Sequence, residues 1–208
     1  MFEYIKTNQD KYFKLLFEHL SLTLYALLIA IIFGLLIAFL VYKHEKIANL
    51  IHNFTTSLRV VPSLVFMLIL MPWLGTGRTP ALVSLTLIGL PFMLGHTLTG
   101  LINIDQDILE GAVASGMNQR QMFLSIRLLL ASPSIVTGMR FASLSIAAGA
   151  PIAAYIGAGG LGEFILSGMG QFRQDILLTG SISIMVICLI LEIFFQAVYL
   201  YVRASVKE

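Results

Sequence analysis

Five stretches of the chain are apolar for about as long as a membrane-crossing helix requires, roughly 20 residues. They fall at about residues 20–42, 53–73, 79–104, 130–155 and 176–202. The first, Leu20 to Tyr42, holds no charge and is followed by Lys43-His44-Glu45-Lys46. It is too long for a signal-peptide core, and no small-residue cleavage site follows it, so it reads as a retained helix. The second has Arg59 near its start and Pro62 one turn in. The third carries Pro91 and His96, the fourth Arg140 and the fifth Glu192. The expected fold class is therefore all-α: a polytopic helical membrane protein, a single domain over residues 1–208, with its termini on opposite sides.

Composition supports this pattern. Of 208 residues, 58% are hydrophobic and 12% charged, against about 25% charged in a soluble domain. Mean hydropathy is +0.90. A net charge of +2 is too small for a surface that tracks phosphates, so no nucleic acid is expected as a partner. One cysteine, Cys188, excludes an internal disulfide framework. No metal site is expected from the scattered histidines, and His96 reads as a core histidine.

Lysine and arginine set the orientation. With the N-terminus outside, Lys43, Lys46, Arg120, Arg127, Arg203 and Lys207 lie inside, and Arg78 and Arg173 outside. Lys6, Lys11 and Lys14 of the N-terminal tail also fall outside and weaken the bias. Either the tail is an outer interfacial helix, with Tyr12, Phe13, Leu16, Phe17 and Leu20 on one face, or it is inside and the span count is off by one.

Between the third and fourth stretches lies a polar segment, residues 105–127. Asp105 or Asp107 can cap a helix start. Gly111, Ala112, Ala114, Ser115 and Gly116 are small and allow another surface close approach, and Gly116 is a natural helix stop. Met122, Phe123 and Ile126 give a second short helix an apolar face. The residues predict helix, turn, helix on the inner side, either a docking projection or an ordinary connection.

The spacing within this segment resembles the cytoplasmic coupling loop of ABC-importer permeases. That pattern is Glu-Ala-Ala, three residues, Gly, nine residues, then Ile-x-Leu-Pro. Here it reads Glu110-Gly111-Ala112, three residues, Gly116, nine residues, Ile126-Arg127-Leu128-Leu129. Gly111 replaces Ala, and Leu129 replaces a Pro that would kink the approach to the fourth span. Val61-Pro62-Ser63-Leu64, Gly75-Thr76-Gly77-x-x-Pro80-Ala81 and Tyr155-Ile156-Gly157-Ala158-Gly159-Gly160-Leu161-Gly162 extend the likeness. Together they resemble the permease subunit of osmoprotectant importers for glycine betaine, carnitine and choline. Methionine-type or other small-solute ABC permeases share the loop and the five-span plan and remain the alternative. An ATP-independent transporter would need an intramembrane ion-binding set, which the residues do not offer.

The resemblance implies a transport subunit of a bacterial cell membrane, not an enzyme, with no catalytic residues. The chain has no Gly-x-x-x-x-Gly-Lys-Ser/Thr phosphate cradle. ATP and Mg are therefore expected on separate ATPase subunits, and no cofactor on this chain. Glu110, Gly111, Ala112, Ala114, Ser115, Gly116 and Met117 are expected to couple to that ATPase. The implied partners also include an extracytoplasmic substrate-binding protein and a second permease copy or a similar chain, all in a lipid bilayer. Pro62, Ser63, Pro151, Gly157, Gly159, Gly160 and Gly162 are cavity or gate candidates, because broken helical hydrogen bonding within a membrane needs protein or water beside it. Gly157 to Gly162 matches Gly-x-Gly-x-x-Gly, but a membrane helix precedes it where a nucleotide fold needs a strand. Charges inside spans usually pair or line a path, so Glu192 is expected to pair with Arg140 or with Arg59.

Overall fold

In the computed structural model, which describes residues 2–207, the chain folds as helices joined by short turns. α1 is Phe2–Thr7, α2 Gln9–Val41, α3 Glu45–Leu58, α4 Ser63–Leu74 and α5 Arg78–Ile102. α6 is Gln106–Ala114 and α7 Gln119–Met122. A π-helical turn, Phe123–Arg127, joins α7 to α8, Leu128–Gly149. A 3-10 stretch, Ala150–Ile156, ends that run; α9 is Gly162–Gly170 and α10 Gln174–Lys207. Among the described residues four helical runs are long and apolar enough to cross a membrane: Gln9–Val41, Arg78–Ile102, Gln119–Ile156 and Gln174–Val206.

α5 is the centre of the bundle. It runs parallel to α2 and antiparallel to α8, and small residues set both approaches. A Cβ built on Gly34 of α2 would stand 2.6 Å from Met93 Cβ. One on Gly100 of α5 would stand 2.8 Å from Ser134 Cβ, and one on Gly138 of α8 3.1 Å from the Phe92 carbonyl. Hydrocarbon gives helices no hydrophobic reason to associate, so close van der Waals fit has to do it, and small side chains permit that fit. Leu85, Met93, Leu98 and Leu101 of α5 and Ala142 and Ile146 of α8 are fully buried as a result. α10 closes on α8 and α9, where Gly180 meets Leu161 and Phe164.

Two expectations change. The second apolar stretch is not one straight helix. α3 and α4 meet at 98° across Arg59 to Pro62. Pro62 is extended, with φ −61° and ψ 142°; it lacks an N–H and disfavours a helical residue before it. The 12 residues of α4 rise about 18 Å, short of a bilayer's roughly 30 Å core. A fifth crossing exists only if the bent pair forms it together. The N-terminal tail is not a separate interfacial helix either. From Gln9 it is one helix with the first span, because nothing between Gln9 and Leu20 breaks it. Tyr12 stacks on Phe164 at 6.2 Å and shares a hydrogen bond with Ser183 Oγ at 3.0 Å. Phe13 and Phe17 stay exposed.

Gly138→Leu should force α5 and α8 apart and cost about 1–3 kcal/mol, read as a lower melting temperature of the purified protein. Gly111→Ala should do the reverse. A Cβ there meets nothing within 4 Å, and the helix gains up to about 1 kcal/mol.

Candidate functional site

Three groups of residues stand out by position: a projection at one end, a clasp at the other and charges between.

The projection is α6, the turn after it and α7. Asp105 caps α6, its carboxylate accepting the Asp107 N–H at 3.0 Å. α6 ends at Ser115, and Gly116 takes φ +79°. Left-handed backbone is costly for residues with a Cβ, so glycine suits this position. Asn118 and Gln121 then form a reciprocal capping box, each side chain bonding the other's backbone N–H at 2.9 Å. The projection is bolted to the bundle from below. Ile104, Leu109, Ala112 and Met122 form one buried cluster. Phe123 stacks on Tyr42 at 5.6 Å and packs edge-on to Phe39 at 5.4 Å. Arg127 donates from Nη1 to the Leu101 carbonyl at 3.2 Å, tying the end of α5 to the start of the α8 run.

Glu110, Gly111, Ala114, Ser115, Gly116 and Met117 therefore form an exposed outer surface, joined by Val113, which the sequence pattern had not marked. Ala112 does not belong to it. At 6% exposed, it faces the bundle, because it shares the inward stripe of a short amphipathic helix with Leu109. Leu129 leaves no sharp kink at the head of the fourth span. The irregularity is the π turn just before it, and Pro133 sits within α8.

At the far end, the Gly157–Gly162 segment is a turn between the 3-10 stretch and α9. Gly159 and Gly160 take φ +79° and +85°, and successive backbone conformations of this kind make an anion-accepting concavity. The anion is Glu18 of α2, whose Oε2 accepts the Gly160 N–H at 3.0 Å; a Cβ on Gly159 would collide with that carboxylate. Gly77 donates its N–H to the Ile156 carbonyl at 2.6 Å, and Arg78 bonds Ser21 Oγ. Three bonds thus clasp α2, the start of α5 and the end of the α8 run. Ser63 lies near Gly149, since a Cβ there would stand 3.6 Å from Ser63 Cβ. Gly162 is held against Pro151, where any Cβ would strike the Pro151 carbonyl. Pro62, Ser63 and Pro151 thus sit at the two breaks in regular helix, one before α4 and one after α8.

Between the ends, Arg140 of α8 pairs with Glu192 of α10. Nε donates to Oε2 at 2.8 Å, and Nη2 bonds Oε1. Gln196, one turn further along α10, accepts from Nη1. Arg59 takes no part. It donates to the Pro91 carbonyl at 2.9 Å and lies 4.6 Å above the Phe92 ring, so it hooks the α3–α4 break onto α5. Gly95, one turn further along α5, leaves room for this contact, since a Cβ there would stand 2.7 Å from Arg59 Nη2. Among the described residues no group of three or more His, Cys, Asp or Glu could hold a metal ion.

Residues 30–204 match the family model of the binding-protein-dependent transport system inner membrane component. The chain belongs to this family. It is a membrane-embedded transport subunit, not an enzyme, and its family implies an ATPase and a binding protein as partners. The carnitine transport permease protein OpuCB of Listeria monocytogenes is 31% identical over 175 residues, covering 84% of this chain and 80% of that one. The glycine betaine/carnitine/choline transport system permease protein OpuCB of Bacillus subtilis (strain 168) is 26% identical over 192 residues, covering 92% and 88%. The fold resembles a chain of the inward-facing MetNI methionine ABC transporter, with a TM-score of 0.83 at 17% identity, covering 94% of this chain and 98% of that one. The permease region matched by the family model contains the projection, the charges and the glycine turn, but not Glu18.

Glu18, Arg78 and Gln196 of this permease were not expected from the sequence. A signal existed for Gln196, one helical turn from Glu192 on the same face. None existed for Glu18, whose partner is 142 positions away. Glu18→Gln should weaken the clasp by about 1–2 kcal/mol, seen as faster proteolysis within Gly157–Gly162 while the remaining helices stay protected.

Proposed function

We propose that this permease admits quaternary-ammonium osmoprotectants such as glycine betaine, carnitine and choline, driven by ATP hydrolysed on a separate chain. The observation that carries the substrate class is the likeness, over most of the chain, to permeases named for those solutes. ATP and Mg bind on the partner ATPase. The exposed tip of α6, from Glu110 to Met117, seats in that ATPase with Ala112 beneath it as packing. An extracytoplasmic binding protein delivers the solute at the clasped end, and a second copy or a similar chain completes the conduit.

The coupling follows from how the tip is held. A push on α6 reaches the Leu109–Met122 cluster first. From there it passes to the end of α5 through Leu101 and to the α8 run through Phe123 and Arg127. Both helices are close-packed on small residues, so they move as bodies and do not stretch. Breaks at Pro62 and after Gly149 give hinges on either side of that rigid core. The permease then alternates between two packed arrangements, and the ATPase biases them only by binding one better than the other.

The test is uptake of labelled glycine betaine by cells carrying the whole system, with excess carnitine, choline or methionine as competitors. Competition by the quaternary amines alone is expected; competition by methionine alone would overturn the substrate class. Glu110→Lys with Gly116→Leu should remove the ATPase from the purified permease and lower uptake at least tenfold, while the helical content is unchanged. Undiminished copurification would overturn the coupling role.

A further inference from the structure

The ion pair between α8 and α10 belongs to a longer strip. The Arg140 guanidinium lies 6.0 Å from the centre of the Phe141 ring. Phe141 stacks on His96 at 5.4 Å, with 15° between the planes, and on Phe92 at 6.3 Å, with 28°. Arg59 lies over the Phe92 ring. Rings and charges thus run continuously from the break before α4, across α5 and α8, to Glu192 and Gln196 near the middle of α10.

The strip is not sealed inside the chain. The Arg140 and Glu192 side chains keep 28% and 31% of their surface open, and Phe141 is 41% exposed. A half-open ion pair at that depth cannot lie against lipid tails. Its open side has to meet water or protein, and a conduit enclosed with a second permease copy offers both.

The chemistry of the strip selects among solutes. A trimethylammonium head has no N–H to donate, and ring faces together with a carboxylate are what attract it. A solute carboxylate fits the guanidinium fork. We infer that the Arg140–Glu192–Phe141 strip is a transit site for quaternary-ammonium zwitterions. The solute's carboxylate replaces Glu192 on Arg140, and its cationic head lies over Phe141 beside the released Glu192. One carboxylate is exchanged for another on the same guanidinium, so little net energy is gained, and the solute is held weakly enough to leave. This inference rests on the substrate class proposed above.

The experiment uses the reconstituted transporter with Cys188 replaced by Ala and a single Gln196→Cys change, which keeps Phe141 and the ion pair. The reagent is a membrane-impermeant methanethiosulfonate with a trimethylammonium head, compared with its sulfonate counterpart. The cationic reagent should label Cys at this position in at least one nucleotide state, about fivefold faster than the anionic one, and glycine betaine should slow the labelling. Absence of labelling in every nucleotide state would overturn the transit site. Labelling indifferent to glycine betaine overturns it too, leaving only a wet helix face. Phe141→Cys, read for labelling alone, serves if the first variant does not assemble: labelling in some nucleotide state supports the transit site, and none in any state overturns it. Glycine betaine uptake by the parent separates the two levels. A parent that takes up none refutes the substrate class, whereas normal uptake with an unreactive strip refutes the transit site alone.

Discussion

Close approach of α5 to α2 and α8 is the constraint on which the rest of this permease depends. Hydrocarbon offers no water for backbone groups and no hydrophobic drive between helices. The helices satisfy their own backbone, and only fit holds them together. Gly34, Gly100 and Gly138 give that fit by leaving room where a Cβ would strike a neighbour. The tightness makes the trio a rigid body. Rigidity in turn gives the projection at one end and the clasp at the other a common frame to act through.

Around this core, the charged groups are answered by distant partners, whereas His19, Thr23, Ser84 and Thr97 keep buried polar atoms without a hydrogen-bond partner. Arg59 is anchored on the Pro91 carbonyl. Glu18 is seated on the Gly160 N–H. Arg140 and Glu192 answer each other and leave one side open. Each of these contacts ties together segments far apart in the chain. The permease therefore has a stiff centre with polar fastenings around it.

Much of this was legible in the residues. Apolar length marked the long spans, because a helix that crosses lipid must be mostly apolar across the hydrocarbon core. Asp105, Gly116 and the Met122–Phe123–Ile126 face marked the helix-turn-helix, because caps and stops are local chemistry. The Glu110–Gly116 spacing and the two glycine-rich turns marked the family. The inward turn of Ala112 was hidden, since Ile108 and Val113 on the exposed side of this nine-residue helix are as apolar as Leu109 on the buried side. The 98° break at Pro62 was hidden for a different reason. A proline within an apolar run is compatible with a kink or with a full turn, and neighbours choose between them.

Chain-local chemistry was enough to establish a helical membrane protein, the places of its long helices, and the short segment that projects between the third and fourth. Those properties depend on residues within a few turns of one another. It took the packed fold to show that Arg140 rather than Arg59 answers Glu192, that Glu18 fastens the Gly159–Gly160 turn, and that the tail extends the first span to pack on Phe164. Each of those contacts joins residues far apart in the chain. Local preference does not distinguish one distant partner from another; the close packing of α5 with its neighbours does, by fixing which side chains are brought within reach.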